Sequence, residues 1–170
     1  MLMLLVLIAL GFLWWWFLSP TRLFLQGFAG LLEGADYSPA KLFSFRATIS
    51  GRFRGRSVGL DLHQPGENRL ASLIVLMKTS APDGSSWKDS TLLSRNPEIS
   101  RATFDLEGRH ALVLTLSGGW LRATETPFGV RFPGPFDPEK WQNVLQQMET
   151  LVRWLEAAEE RRTKNEERRT

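Results

Sequence analysis

The sequence predicts an α+β protein: an N-terminal transmembrane helix, then an antiparallel β-meander of five or six strands packed against a long C-terminal amphipathic helix. Three observations predict it. Residues 1–18 carry no charged side chain, several segments between 42 and 126 alternate apolar with polar residues, and one seven-position apolar stripe at helical spacing closes the chain. The organisation that follows is a membrane anchor at 1–18, a short juxtamembrane helix at 19–35, an α+β domain at 36–158 and a charged tail at 159–170.

The anchor comes first. Met1 to Leu18 holds only apolar residues and glycine. As a helix it covers about 27 Å, close to the ~30 Å hydrocarbon thickness of a bilayer. Trp14, Trp15 and Trp16 stand at its far end, where indole rings favour the headgroup boundary. No basic n-region precedes the apolar run, which argues against a cleaved signal peptide. Arg22 follows the run and no lysine or arginine comes before it, so the positive-inside rule puts the remaining domain in the cytoplasm.

Ser19-Pro20 reads as a helix break followed by a new start. Phe24, Phe28, Leu31 and Leu32 then share one face of a short helix that Gly34 ends. That helix either lies in the membrane interface or packs into the domain.

Strands follow. Phe43, Phe45, Ala47 and Ile49 alternate with polar residues, as do Val58, Leu60 and Leu62. A four-residue loop, Arg52-Phe53-Arg54-Gly55, joins the two runs. Closing on Gly51 and Arg56 pairs Ile49 with Val58 and sets Arg46 opposite Asp61, a cross-strand ion pair. Pro65-Gly66-Glu67-Asn68 is a turn. Leu70 to Met77 is apolar on both faces except Ser72, as a central strand would be. Residues 81–97 form a loop with Trp87 as its anchor. Ser100 to Leu106 and Leu112 to Leu116 read as two more strands, and Gly118-Gly119 as a two-residue turn that pairs Leu116 with Leu121 and Leu114 with Ala123.

Pro127 to Pro135 is a proline- and glycine-rich connector. Asp137 then caps a helix with Pro138 in its first turn. Trp141, Val144, Leu145, Met148, Leu151, Val152 and Leu155 form its stripe, and Trp154 falls beside it as a possible partner contact. The tail beyond Ala158 has no apolar stripe.

The composition excludes several chemistries. There is no cysteine, so disulfides, thiolate nucleophiles and Cys-based metal centres are ruled out. The balance is 21 basic against 18 acidic residues, a net of +3, too small an excess for a nucleic-acid partner to be expected. No cofactor or metal is implied. His63 and His110 are the only histidines. Asp61 and His63 share a strand face but lack a nucleophile placed by any motif, so no catalytic residue is assigned.

The most distinctive local motif is Gly51-Arg52-Phe53-Arg54-Gly55-Arg56. Arg52, Arg54 and Arg56 together suit an anion or a lipid headgroup. The predicted function is a membrane-anchored, non-catalytic interaction domain. Its partners are the bilayer, through residues 1–18, and another membrane or peripheral protein. The alternative is a lipid- or apolar-ligand module. It would use the arginine loop or a sheet–helix pocket lined by Phe43, Phe45, Leu60, Leu62, Phe104 and Leu114.

Overall fold

A computed structural model describes residues 2–38, 46–63, 72–81, 96–125 and 135–168. The chain is α+β, with a six-stranded antiparallel sheet and a C-terminal helix. The predicted turn at 65–68, most of the loop at 81–97 with Trp87, the connector at 127–134, and Phe43 and Phe45 lie outside the described residues.

Helix α1 is one element, Leu2–Ala29. The break expected at Ser19-Pro20 and the separate helix after it are therefore corrected. A proline inside a helix forfeits one backbone hydrogen bond and crowds the preceding turn, at about 3 kcal/mol. The residues after it more than offset that cost. Phe24, Leu25 and Phe28 are all buried in the core, and each contributes about 1.5–3 kcal/mol. Of the two positions weighed for residues 21–32, packing into the domain is the one observed. The first part of α1 differs: Met3, Val6, Leu7 and Ile8 are exposed. Among the described residues, no helix is long and apolar enough to cross a membrane. The side chains at 12–20, which include Trp14, Trp15 and Trp16, are outside that description.

Strand β1, Glu33–Ser38, leaves α1 directly and pairs with β2, Arg46–Phe53. Its sequence has no apolar alternation, because it is an edge strand exposed at every position. Its neighbour makes room for it. A methyl group on Gly51 would come 2.9 Å from Leu32 Cβ and 3.2 Å from the Glu33 carbonyl oxygen.

Strand β3, Arg56–His63, follows a two-residue turn and not the expected four-residue loop. Arg54 and Gly55 both have positive φ, 49° and 82°, as the tight hairpin turn requires. The register is Phe53↔Arg56, Ile49↔Leu60, Ala47↔Leu62 and Arg46↔His63. Compared with the expected pairing, each partner moves by two residues, so every side chain keeps its face. Asp61 consequently faces Thr48 and not Arg46. The tighter turn adds a rung to the ladder and buries Phe53.

Strand β4, Ser72–Lys78, is central, as expected. The next element is the main correction. Residues 97–104 form helix α2, Pro97–Phe104, not a strand. Asn96 caps it by accepting from the Ile99 amide at 3.5 Å, and Pro97 opens its first turn. Ile99, Ala102, Thr103 and Leu106 are buried while Phe104 is exposed. That is the 3–4 spacing of a helix; alternation would have buried Phe104. A single π-turn, Asp105–Arg109, ends it.

Strands β5, Val113–Ser117, and β6, Trp120–Glu125, form the predicted hairpin, with Leu116↔Leu121 and Leu114↔Ala123. Gly118 and Gly119 sit at φ 63° and 70°. The sheet order is β1-β2-β3-β4-β6-β5. It is not a simple meander. The chain crosses from β4 through α2 to the far edge, and β6 returns to fill the gap beside β4.

Helix α3, Pro138–Glu167, closes the chain. Asp137 Oδ1 accepts from the Glu139 and Lys140 amides at 3.0 and 3.2 Å. All seven stripe residues are buried. They meet the sheet face formed by Ile49, Leu60, Val75, Ala123 and Leu114, which lie in one continuous row across five strands. The end of α1 docks beside them. Phe24 and Phe28 pack edge-on against Trp141 at centroid distances of 5.5 and 5.9 Å. Gly27 lets the Phe136 ring lie against α1, since a methyl there would stand 2.3 Å from that ring.

Candidate functional site

All three described helices share one face of the sheet, so the opposite face carries none of them. The register fixes what that face displays. One row across it runs Glu33, Arg52 and Ser57, and continues through Lys78, Trp120 and Ser117. The next row is Asp36, Ser50, Gly59, Leu76, Arg122 and Thr115. The third is Ser38, Thr48, Asp61, Ile74, Thr124 and Val113.

The middle row is low where it passes through Ser50 and Gly59, because one carries a small side chain and the other none. The result is an open trough of about 750 Å³ that crosses the strands. Gly34 lies at its β1 end and Leu76 at its β4 end. Glu33, Arg52, Ser57 and Trp120 form one wall; Thr48 and Asp61 form the other. Lys78 Nζ sits 5.0 Å above the Trp120 ring centre, so the first wall carries two cations beside the Glu33 carboxylate.

Asp61 is 7% exposed and its Oδ1 lies 3.5 Å from His63 Nε2. The sequence placed these two on one face, and the structure brings them into contact. The described residues contain no group of three or more His, Cys, Asp or Glu side chains able to hold a metal ion.

The three arginines of the hairpin do not converge. Arg52 belongs to the open face. Arg54 and Arg56 turn to the helical side, where carboxylates of α3 receive them. Arg54 Nη1 donates to Glu149 at 3.1 Å, and Arg153 donates to the same carboxylate. Arg56 makes a two-pronged pair with Glu156 at 3.0 and 2.7 Å. Burial alone would raise the Glu156 pKa. The bonds from Arg56 and the Ser80 amide, with the arginine's charge, outweigh burial and hold it below the ordinary glutamate value. A single anion-gripping loop of three arginines is thus replaced by two ionic clasps and one open-face cation.

Three further candidates resolve. Trp154 packs partly buried against the core, so its role as a partner contact loses support. His110 Nε2 lies 3.3 Å from Asn143 Oδ1, tying the π-turn to α3. Of the residues expected to line a sheet–helix pocket, Leu60, Leu62 and Leu114 are packed in the core and Phe104 is exposed, while Phe43 and Phe45 lie outside the described residues. The trough lies on the opposite face. Sequence reasoning missed it, although Ser50 and Gly59 alternating with apolar core residues was the available signal.

No family model, curated protein or solved structure matches the chain.

Proposed function

We propose that the chain is a membrane-tethered, non-enzymatic interaction domain. Its partners are the bilayer, through residues 1–18, and a membrane or peripheral protein that meets the open sheet face. The observation that carries this reading is the continuity of α1. An uncharged stretch and a core-packed stretch belong to one helix, with no linker between them. Such a helix holds the domain at a set height and orientation above the bilayer. Exposed Met3, Val6, Leu7 and Ile8 are apolar side chains that the domain leaves uncovered, as expected of residues that face lipid. Arg22, exposed on the same helix, supports a cytoplasmic domain.

The test is extraction of the full-length chain from its membranes with alkaline carbonate. The unaltered protein stays in the pellet. The double variant Leu7→Glu, Ile8→Glu is released with its domain still folded, because neither side chain contributes to the core. Release of the unaltered protein would sink the tether. Gentle purification in detergent then reports the second partner, and recovery of the chain alone counts against the interaction role. The ligand-module reading keeps one supporting observation, the trough.

A further inference from the structure

The middle row of the open face complements its own reverse. It reads Asp36, Ser50, Gly59, Leu76, Arg122 and Thr115 across the strands, which is an acid, a hollow, a knob and a base. Asp36 and Arg122 are exposed, and neither takes part in an ion pair among the described residues. Four strands separate them, about 19 Å at ~4.8 Å per strand, so they do not neutralise each other within one chain.

The direction of α1 determines how two copies meet. Phe24 packs on Trp141, next to Lys140, whose ammonium bonds Glu125 at the level of Leu73, Leu62 and Ala47. Leu32 lies against Gly51. Phe24 to Leu32 climbs about 12 Å as a helix, and Ala47 to Gly51 climbs about 14 Å as a strand. Helix α1 therefore runs along the strands. Two copies anchored in one membrane by such helices share a two-fold axis along the membrane normal, and hence along the strands. Set open face to open face on that axis, they keep each row level and reverse the strand order.

We propose that two copies of this chain pair through their open faces in this way. In the middle row Leu76 enters the partner's hollow over Gly59, and Arg122 comes to the partner's Ser50 with Asp36 one strand away. In the first row Arg52 meets the partner's Trp120 ring, and Glu33 beside it offsets the approach of the partner's Lys78. Asp61, already buried against His63, needs no new bond. Sheets pack face to face at ~10 Å, a gap that leucine and arginine side chains fill. Strand and row spacings give a face of roughly 600 Å² per copy, at the lower end of specific interfaces, ~1,200 Å² in total. The pairing rests on the tethered reading above and names its protein partner.

The experiment uses the full chain in a non-ionic maltoside detergent, its mass read by light scattering after subtraction of bound detergent. A chain recovered alone but at twice its mass carries this partner with it. The unaltered protein is a dimer. Asp36→Arg or Arg122→Asp sets like charges together at two symmetry-related places and weakens the dimer by about tenfold or more. The double variant Asp36→Arg, Arg122→Asp restores it, and the distance between the two positions within one chain means that rescue comes from across the interface. Both positions are exposed, so each variant keeps its fold, checked by circular dichroism. The chain has no cysteine, so single thiols report the arrangement. A short bis-maleimide joins Ser57→Cys, on a strand beside the axis, to its copy. Glu33→Cys, on the outermost strand and about 24 Å to the side of its copy, stays unjoined. A monomeric unaltered protein, a single variant that dimerises undiminished, a folded double variant that stays monomeric, or the opposite crosslinking pattern overturns the proposal. Release by carbonate with the charge swap working removes the anchor and leaves the pairing; retention with a monomer does the reverse.

Discussion

The two faces of the sheet are built from the same strands yet obey different rules. On the helical face every row is apolar and closed. Leu60, Val75, Ala123 and Leu114 are no more than 1% exposed, and Trp141, Val144 and Met148 cover them. Among the described residues its charged groups include three matched pairs: Arg54 with the buried Glu149, Arg56 with Glu156, and Lys140 with Glu125. On the open face, apolar residues are fewer and only partly buried, charges alternate in sign, and two small residues leave a hollow. The first face holds the fold together. The second carries no described helix and keeps an open hollow at Ser50 and Gly59. Substitutions that weigh one face against the other test this division.

The largest effect is expected at Trp141, where α1, α3 and Phe136 come together. Trp141→Ala should cost about 3–5 kcal/mol, read as a fall in the denaturation midpoint of the full chain. A loss under 1 kcal/mol would mean that α1 is not integral to the core.

Gly27 sharpens the same point. Gly27→Ala drives a methyl into the Phe136 ring and should cost about 1–3 kcal/mol by overpacking. Phe136→Ala in the same chain should recover part of that loss. A double-mutant cycle measures the coupling, and simple additivity would show that the ring is not the obstacle.

The rim is weaker. Arg56→Ala should cost about 1 kcal/mol, since the pair is two-pronged but roughly a quarter exposed on both sides. Its pH dependence has a definite sign. The Glu156 pKa is lowered in the folded chain. The stabilisation is therefore present above the unfolded glutamate value and is lost as pH falls through the lower folded value. Acid titration of stability should show this step in the unaltered protein. Glu156→Gln should lack it.

The smallest effect belongs to the open face. Thr115→Ala, in the middle row beside Arg122, should change stability by less than about 0.5 kcal/mol. A loss comparable to Trp141→Ala would show that the open face is packed, and the contrast would collapse.

What the sequence by itself determined is what repeats at a fixed period or sits at a chain end. The stripe from Trp141 to Leu155, the cap at Asp137, the glycine turn at 118–119 and the apolar face of β2 and β3 could all be read, because local spacing alone sorts inside from outside. The polar partners of those faces followed from the same parity, including the shared side of Asp61 and His63. Three things were decided by the tertiary structure. The continuity of α1 through Pro20 depends on contacts with Trp141 and Phe136, more than a hundred residues away. The helix at Pro97–Phe104 competed with a strand of equal apolar content, and packing chose the periodicity that buries Ile99 and Ala102 and leaves Phe104 out. The separation of Arg52 from Arg54 and Arg56 came from a tight turn and from carboxylates on α3, which lie about a hundred residues along the chain. Local spacing says which residues share a face. Only long-range packing says what that face meets, because the partner's free energy enters from elsewhere in the chain.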